Sequence, residues 1–327
     1  MSIIFNEETK TFYLHTANTT YAFFVNEIQA LEHLYYGASI PENDLRHLCF
    51  RQPYSFAPYE KTAGDMVSPD IFFQELPGAN SGDFRICALG LIDSKGKYGA
   101  RFQYVSHEIR SGRKLLPGLP CSDGEEAYSL EIVLCSESED IEVRLSYVVY
   151  FKEDVIARYA EIINRSAGEV HILKAGMALD ISGRDYELLE LYGTYHHERA
   201  VVQRTPLKYG VQGSFSHKGA SGHEVNPFMA VCSANAAEDC GEVYGFNLVY
   251  SGNFENEVQV DKMGNTRVVT GISDYEFDWK LAPGESFTTP ETVYTYTNQG
   301  IGAMSRNFHD FIRNHLIPPR FAFSHRP

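Results

Sequence analysis

Residues 141–151 read IEVRLSYVVYF, and this stretch decides the fold class. Every second position from Ile141 to Phe151 is apolar, whereas the positions between them include Glu142 and Arg144. Such an alternation is typical of a β-strand with one buried face, because successive side chains of a strand point to opposite sides. The same period predicts further strands at 21–25, 99–109, 128–134, 155–164, 171–181, 242–251, 275–281 and 293–297.

The way these strands follow one another indicates how they pair. Turn signals separate them, and no long helical pattern lies between consecutive strands, so a mostly antiparallel sheet is expected. The 21 Tyr and 21 Phe residues suit the faces of a sheet. The sequence therefore predicts an all-β fold, a large antiparallel β-sandwich that occupies residues 1–300.

One segment near the end of the chain has a different period. In IGAMSRNFHDFIRNHL, residues 301–316, the apolar side chains recur at steps of three and four, which predicts one face of an α-helix. Pro318 and Pro319 stop this helix, and an extended tail, RFAFSHRP, follows. We interpret residues 301–327 as a helix and linker toward a further domain; a frayed natural terminus is the alternative.

Composition excludes several classes of partner. The net charge of −15, from 28 basic and 43 acidic residues, disfavours nucleic acid and anionic membranes. The six cysteines show no metal-pair spacing and are expected to be reduced thiols, as in a cytoplasmic protein. No secretory signal and no apolar run long enough to span a membrane is visible.

Motifs of known chemistry are mostly missing. The sequence has no glycine-rich nucleotide loop and no GxSxG nucleophile elbow, so no cofactor is predicted. The run HHER at 196–199 and the histidines His217 and His223 do not have the spacing of a metal site, and we predict none. The single tryptophan, Trp279, lies in an alternating stretch and is expected in the core.

Several stretches, taken in order, resemble the N-terminal domain of the family 36 glycoside hydrolases, the bacterial α-galactosidases. The stretches that carry the resemblance are QELPGANSGDFR (74–85), LLPGLPCS (115–122), LSYVVYFKEDVIARYAEIIN (145–164), YELLELYGTYHHERAVVQR (186–204), KGASGHEVNPF (218–228), VYGFNLVYSGNF (243–254) and FDWKLAPGESFTTPETVYTYTNQGIGAMSRNFHDFIRNHL (277–316).

The resemblance implies a division of labour within a longer enzyme. Family members join an N-terminal β-supersandwich to a (β/α)₈ barrel, which carries the Asp nucleophile and the Asp acid/base of a retaining mechanism. By this resemblance no catalytic residue lies in this chain, and it is expected to be inactive alone. Its expected partners are its own catalytic barrel and further subunits of a tetramer, with an α-galactoside bound only at a composite site.

The resemblance also implies which residues rim a neighbouring subunit's active site. The rim candidates, within the irregular region 50–85, are Asp65, Met66, Glu75, Asp83 and Arg85. Most members have an Asp-Arg-Thr-Phe-Ser-like run where this chain has DMVSPD, so Met66 replaces an arginine. An apolar contact is therefore expected in place of a charged one.

The polar loop SHKGASGHEVNPF, residues 216–228, is predicted to dock onto the barrel or a neighbouring subunit. His223 and Asn226 are the candidates to cap its backbone groups. A loop held only by its own sheet is the alternative.

Two other functions remain open at this point. A free-standing carbohydrate-binding β-sandwich would present exposed Trp or Tyr platforms. A complete enzyme would need a catalytic pair that cannot be selected among 43 carboxylates.

Overall fold

The computed structural model describes residues 2–52, 58–62, 66–124, 126–138 and 140–322. Within these ranges the fold consists almost entirely of strands. The strands, in chain order, are β1 (Ile3–Asn6), β2 (Thr11–His15), β3 (Thr19–Val25), β4 (Leu31–Ala38), β5 (Glu60–Lys61), β6 (Met66–Val67), β7 (Leu89–Ile92), β8 (Phe102–Ser111), β9 (Tyr128–Ser136), β10 (Ile141–Tyr150), β11 (Val155–Asn164), β12 (Val170–Ile181), β13 (Tyr186–Thr194), β14 (His197–Pro206), β15 (Gly210–Ser216), β16 (Val225–Ser233), β17 (Val243–Val249), β18 (Phe254–Val260), β19 (Thr266–Ile272), β20 (Trp279–Leu281), β21 (Ser286–Thr288) and β22 (Glu291–Thr297).

The strands form three main antiparallel sheets. A ten-stranded sheet has the order β14-β13-β16-β17-β22-β11-β10-β9-β8, and β21 also pairs with β11. A six-stranded sheet has the order β15-β18-β19-β12-β20, with β7 also paired to β12, and β1 to β4 form a four-stranded meander. Strands β5 and β6 form a separate short ladder. The prediction of a large antiparallel β-sandwich is confirmed.

The main core lies between the ten-stranded sheet and the two smaller sheets. Tyr147 of β10 stacks on Phe23 of β3 with ring centroids 4.9 Å apart, which joins the large sheet to the four-stranded one. Ile172 and Met177 of β12 are buried in the same cluster. Burial of apolar surface between facing sheets is the main stabilising term of such a sandwich.

A second core lies on the opposite face of the ten-stranded sheet. Helix α1 (Gly300–Phe311) packs there through Met304, Phe308 and Phe311. It continues as a π-helical turn over Ile312–Leu316, and α2 (Pro319–Ala322) is a single turn of helix. The predicted helix and its buried face are confirmed, but the expectation of an extended tail is wrong for residues 319–322.

Helix α1 approaches the sheet closely at Gly245 of β17. A Cβ atom at this position would lie 2.7 Å from Cε2 of Phe308 and 2.9 Å from Cγ of Met304. Glycine is therefore required here because a side chain would occupy the space that the helix fills.

Two details of the predicted strands are wrong. The second half of β10 is buried on both faces, since Val148 and Tyr150 contact the α1 side, whereas Phe151 lies beyond the strand and is 48 % exposed. Trp279 is 50 % exposed rather than in the core. Strand β20 has only three residues and lies at the edge of its sheet, so among the described residues it has no second neighbouring strand. The ring of Trp279 packs on that of Phe287, with centroids 5.2 Å apart.

All six cysteines are thiols rather than disulfides, as their spacing predicts. Among the described residues, no helix combines the length and the apolar character needed to cross a bilayer.

Candidate functional site

The segment predicted to rim an active site lies against the six-stranded sheet. Asp65 lies outside the described residues. Met66 pairs with Lys61 in the β5–β6 ladder. The other three candidates, Glu75, Asp83 and Arg85, are buried.

Glu75 is the centre of a buried polar network. Its carboxylate lies 3.0 Å from Nη2 of Arg158 and 2.8 Å from Nδ1 of His33. The hydroxyls of Tyr21 and Tyr147 donate to it at 2.7 and 2.5 Å. Burial opposes ionisation, but the charge of Arg158 and the hydrogen bond from His33 hold the pKa of Glu75 below its ordinary value.

Asp83 and Arg85 belong to a second buried network. Arg85 donates to both carboxylate oxygens of Asp83 at 2.8 Å, and Arg267 donates to Asp83 at 2.7 Å. Arg267 also donates to both oxygens of Asp180, at 2.7 and 2.8 Å. Despite burial, the charges of Arg267 and Arg85 lower the pKa of Asp83 to about 2.

These two networks connect loop backbone to sheet. Arg158 of β11 donates to the backbone carbonyl of Glu75 at 2.8 Å, and Arg267 of β19 donates to the carbonyl of Ile86 at 3.2 Å. The buried candidates therefore hold the backbone of the segment in place through hydrogen bonds on its interior side. Their burial gives no support to direct contact of Glu75, Asp83 or Arg85 with a substrate.

The most exposed large apolar side chain of this segment, among the described residues, is Phe84, and sequence reasoning missed it. Phe84 is 69 % exposed, although it lies between the buried charges of Asp83 and Arg85. Its backbone N–H donates to Oδ1 of Asp70 at 3.0 Å. The pattern is inverted relative to an ordinary surface, since the charged side chains point inward and the aromatic ring points outward. An apolar residue between two charges in GDFR is the signal that could have identified it.

The polar loop at 216–228 is anchored mainly by other loops of the same chain. The N–H of Gly219 donates to Oδ1 of Asn253 at 2.6 Å, and the N–H of Ser221 donates to the carbonyl of Ser251 at 2.8 Å. These contacts, rather than His223 or Asn226, satisfy the backbone of the loop. Docking onto another surface stays a prediction.

The two candidates differ in position and surroundings: residues 225–228 belong to β16, so Asn226 lies on a strand rather than in the predicted loop. His223 is exposed and lies edge-on to the ring of Tyr195, with centroids 6.3 Å apart. The side-chain nitrogen of Asn226 is buried and has no hydrogen-bond partner among the described residues. His217 stacks between Phe215 and Tyr275, each 4.4 Å away.

Within the described ranges, no three His, Cys, Asp or Glu side chains converge on a point that could hold a metal ion. His196 lies in the turn between β13 and β14 with φ 64°, next to the ring of Tyr195.

Comparison with known proteins places this architecture in a family. The profile of the glycosyl hydrolase family 36 N-terminal domain matches residues 29–282. The chain belongs to this family. A second profile, that of melibiase, matches residues 286–327.

Relatives of this family 36 N-terminal domain are longer proteins. The bifunctional alpha-galactosidase/sucrose kinase AgaSK of Mediterraneibacter gnavus is 38 % identical over 331 residues, which cover 100 % of this chain and 35 % of the relative. Alpha-galactosidase AgaA of Geobacillus stearothermophilus is 37 % identical over 331 residues, which cover 100 % of this chain and 45 % of the relative. The chain thus spans less than half the length of these curated relatives.

Solved structures share the family 36 fold. The galactosidase domain of AgaSK superposes with a TM-score of 0.95 at 36 % identity, covering 99 % of this chain and 46 % of that one. The α-galactosidase AgaB of Geobacillus stearothermophilus gives 0.94 at 36 % identity, covering 100 % and 45 %.

Proposed function

We propose that this chain is the non-catalytic N-terminal part of an α-galactosidase that removes terminal α-galactosides. One observation carries the proposal: the chain matches the family 36 N-terminal domain and aligns to 35–45 % of relatives named as α-galactosidases. In this proposal the catalytic carboxylates are supplied by a barrel outside these residues.

The domain division belongs to the same proposal, with residues 1–300 as the β-supersandwich and residues 301–327 as the connection to the barrel. Helix α1 packs on the outer face of the ten-stranded sheet. Beside it, Leu191 and Phe228 are half-buried, and Val202 is 60 % exposed. An apolar strip continuous with the connecting helix is a reasonable surface for the barrel to cover.

The rim role is assigned to the segment as a whole, with Phe84 as its contact residue. The buried networks of Glu75 and Asp83 fix the backbone, and the exposed ring of Phe84 can then enter a neighbouring subunit without further ordering of the loop. Tetramer formation in the complete enzyme belongs to the same proposal. A cytoplasmic location is supported by six cysteines that are thiols rather than disulfides.

Hydrolysis of a chromogenic α-galactoside by this purified chain tests the proposal. No turnover is expected, even at high protein concentration. A mock purification from cells that lack the gene measures contaminating hydrolase. Turnover above that background would place a catalytic pair within these 327 residues and overturn the proposal.

A free-standing carbohydrate-binding module is the second candidate function, and the exposure of Trp279 favours it. An exposed indole can stack on the apolar face of a sugar ring. Sugar binding that Trp279→Ala abolishes would support this candidate.

A further inference from the structure

A cleft of about 230 Å³ opens where β4 lies across the ends of β12 and β17. The residues of its wall that matter for recognition are Tyr35, Asp180, Ser182, Tyr186, Glu242 and Tyr244. The cleft is separate from Trp279 and from Phe84, neither of which lines it.

The tyrosine rings of the cleft are fixed in position. The hydroxyl of Tyr244 donates to the carbonyl of Tyr36 at 3.2 Å, and the ring of Tyr186 stands edge-on to that of Tyr244, with centroids 6.3 Å apart. The hydroxyl of Tyr35 donates to the carbonyl of Ala38 at 2.8 Å. These rings therefore present preformed surfaces, and binding would cost little side-chain ordering.

Glu242 provides the acceptor at one end of the cleft. It is exposed, and the hydroxyl of Tyr296 donates to its Oε1 at 2.7 Å, which orients the carboxylate. An ionised carboxylate accepts about four hydrogen bonds, so acceptor capacity remains for a ligand. Burial, with the charge of Glu242, raises the pKa of Tyr186 to about 12, and the neutral phenol donates to the carbonyl of Ser182 at 3.2 Å, so Tyr186 offers a ligand its ring face and a hydroxyl lone pair.

Charge excludes several classes of ligand. The lining contains no Lys or Arg, and an anion would be repelled by Glu242. Both oxygens of Asp180 already bind Arg267, so the cleft does not supply the set of carboxylates that a metal ion needs. A wholly apolar ligand would remove water from Glu242 without replacing its hydrogen bonds.

A neutral ring that carries several hydroxyl groups matches both kinds of surface in the cleft, the carboxylate acceptor and the tyrosine rings. Its hydroxyls can donate to Glu242, and its C–H faces can pack on the tyrosine rings. The cleft volume of about 230 Å³ lies just below the range of about 300–1,000 Å³ that is typical of pockets for drug-sized ligands, which suits a ligand no larger than one hexose unit.

We propose that this cleft binds one pyranose unit of a neutral sugar, as a non-catalytic site within this chain. The proposal goes beyond the α-galactosidase assignment, since it needs no catalytic barrel. Chains similar to this one have been solved with raffinose and with stachyose, and these galactosides are suitable probes.

Saturation-transfer NMR and calorimetry with methyl α-D-galactopyranoside, methyl α-D-glucopyranoside and raffinose test the proposal on this chain. We expect saturable binding with a Kd on the order of 1 mM, as for a ligand of about twelve heavy atoms. Glu242→Gln should weaken binding about tenfold, because it replaces charge-assisted hydrogen bonds with neutral ones. Tyr186→Ala should weaken it by a similar factor through loss of the ring surface.

Glu198→Gln on β14 is the matched control and should bind sugar as the unmodified chain does. Circular dichroism and thermal unfolding show whether each variant is folded; Glu242→Gln keeps the shape of the side chain and an acceptor for Tyr296. Absence of saturable binding up to about 100 mM sugar would overturn the proposal. If Trp279→Ala loses sugar binding while Glu242→Gln and Tyr186→Ala keep it, the sugar binds elsewhere and the proposal is also overturned. None of these outcomes depends on whether the chain hydrolyses an α-galactoside.

Discussion

Arg158 and Glu75 form an ion pair of 3.0 Å in which neither side chain has any exposed surface. Arg158 lies on β11 of the ten-stranded sheet, whereas Glu75 belongs to the segment that precedes β7. A buried charge is tolerated only when it is paired and hydrogen-bonded. The pair is therefore a structural connection between the large sheet and the candidate rim segment.

Removing one member of this pair should be costly. Arg158→Met leaves the Glu75 carboxylate buried without its counter-charge, and we expect the free energy of unfolding in urea to fall by about 3–5 kcal/mol. Arg165→Met is the control, because Arg165 pairs with Glu142 while 45 % exposed, and its loss should cost less than about 1 kcal/mol. Equal effects of the two substitutions would contradict the structural role of the buried pair.

The contact of His315 with the sheet should depend on pH. Its Nε2 lies 3.3 Å from Glu153 and its Nδ1 3.5 Å from Asp123, and its ring packs 4.5 Å from that of Tyr150. Burial alone would lower the pKa of His315, but the two carboxylates outweigh burial and raise it.

Because the folded-state pKa is raised, the stabilisation is fully present below the unfolded-state pKa of about 6.5. It is lost as pH rises through the higher folded-state value. An NMR titration of the His315 Cε1 proton should give a midpoint above the ordinary histidine value of about 6.5, and His315→Gln should remove this part of the pH dependence of unfolding. A midpoint at or below the ordinary value would refute the assignment.

Phe84 should matter for assembly but not for the stability of this chain. The ring is 69 % exposed, so Phe84→Ala should change the free energy of unfolding by less than about 0.5 kcal/mol. Phe72→Ala nearby, where the ring is 1 % exposed, should cost about 3–5 kcal/mol.

In a complete enzyme that carries this chain, Phe84→Ala should weaken subunit association or raise KM for the α-galactoside. Sedimentation velocity and steady-state kinetics measure these two effects. Unchanged association and unchanged KM would remove Phe84 from the proposed rim.

The close approach of α1 can be tested at Gly245. Gly245→Ala forces a methyl group against Phe308 and Met304, and overpacking of this kind costs about 1–3 kcal/mol. Gly222→Ala is the matched control, since no atom lies within 4 Å of the added Cβ there. Limited proteolysis should cleave the α1 region faster in Gly245→Ala only. If both variants resist protease equally, α1 does not need the space that Gly245 leaves.

Periodicity predicts the strands that have one buried and one solvated face, and it fails where tertiary contacts override that pattern. Residues 141–150 form β10 as predicted, but the packing of α1 buries Val148 and Tyr150 on the face expected to be polar. Trp279 alternates like a core residue, yet the three-residue strand β20 leaves it at an edge. Neither outcome is encoded in the local pattern.

The candidate site was harder to predict because several of its charged side chains are buried, whereas charged residues usually lie on the surface. The local sequence gives no sign that three of the candidates are buried, namely Glu75, Asp83 and Arg85. Their partners Arg158 and Arg267 lie on strands far along the chain. An arginine within the apolar run VIARYAEII was the one local sign that a buried carboxylate would be needed. The cleft at Glu242 brings together β4, β12 and β17, and no single stretch of sequence shows it.

Strand β22 lies between β17 and β11 in the middle of the ten-stranded sheet, although it is the last strand in the part of the chain that the structure describes. The two halves of that sheet are therefore not joined until residue 297 has been synthesised and has left the ribosome. Synthesis proceeds at about 5–20 residues per second. Until β22 is made, the earlier strands have two unpaired edges that can pair wrongly or recruit a chaperone. Closure of the sheet also precedes the docking of α1, because α1 follows β22 in the chain and packs on the completed sheet.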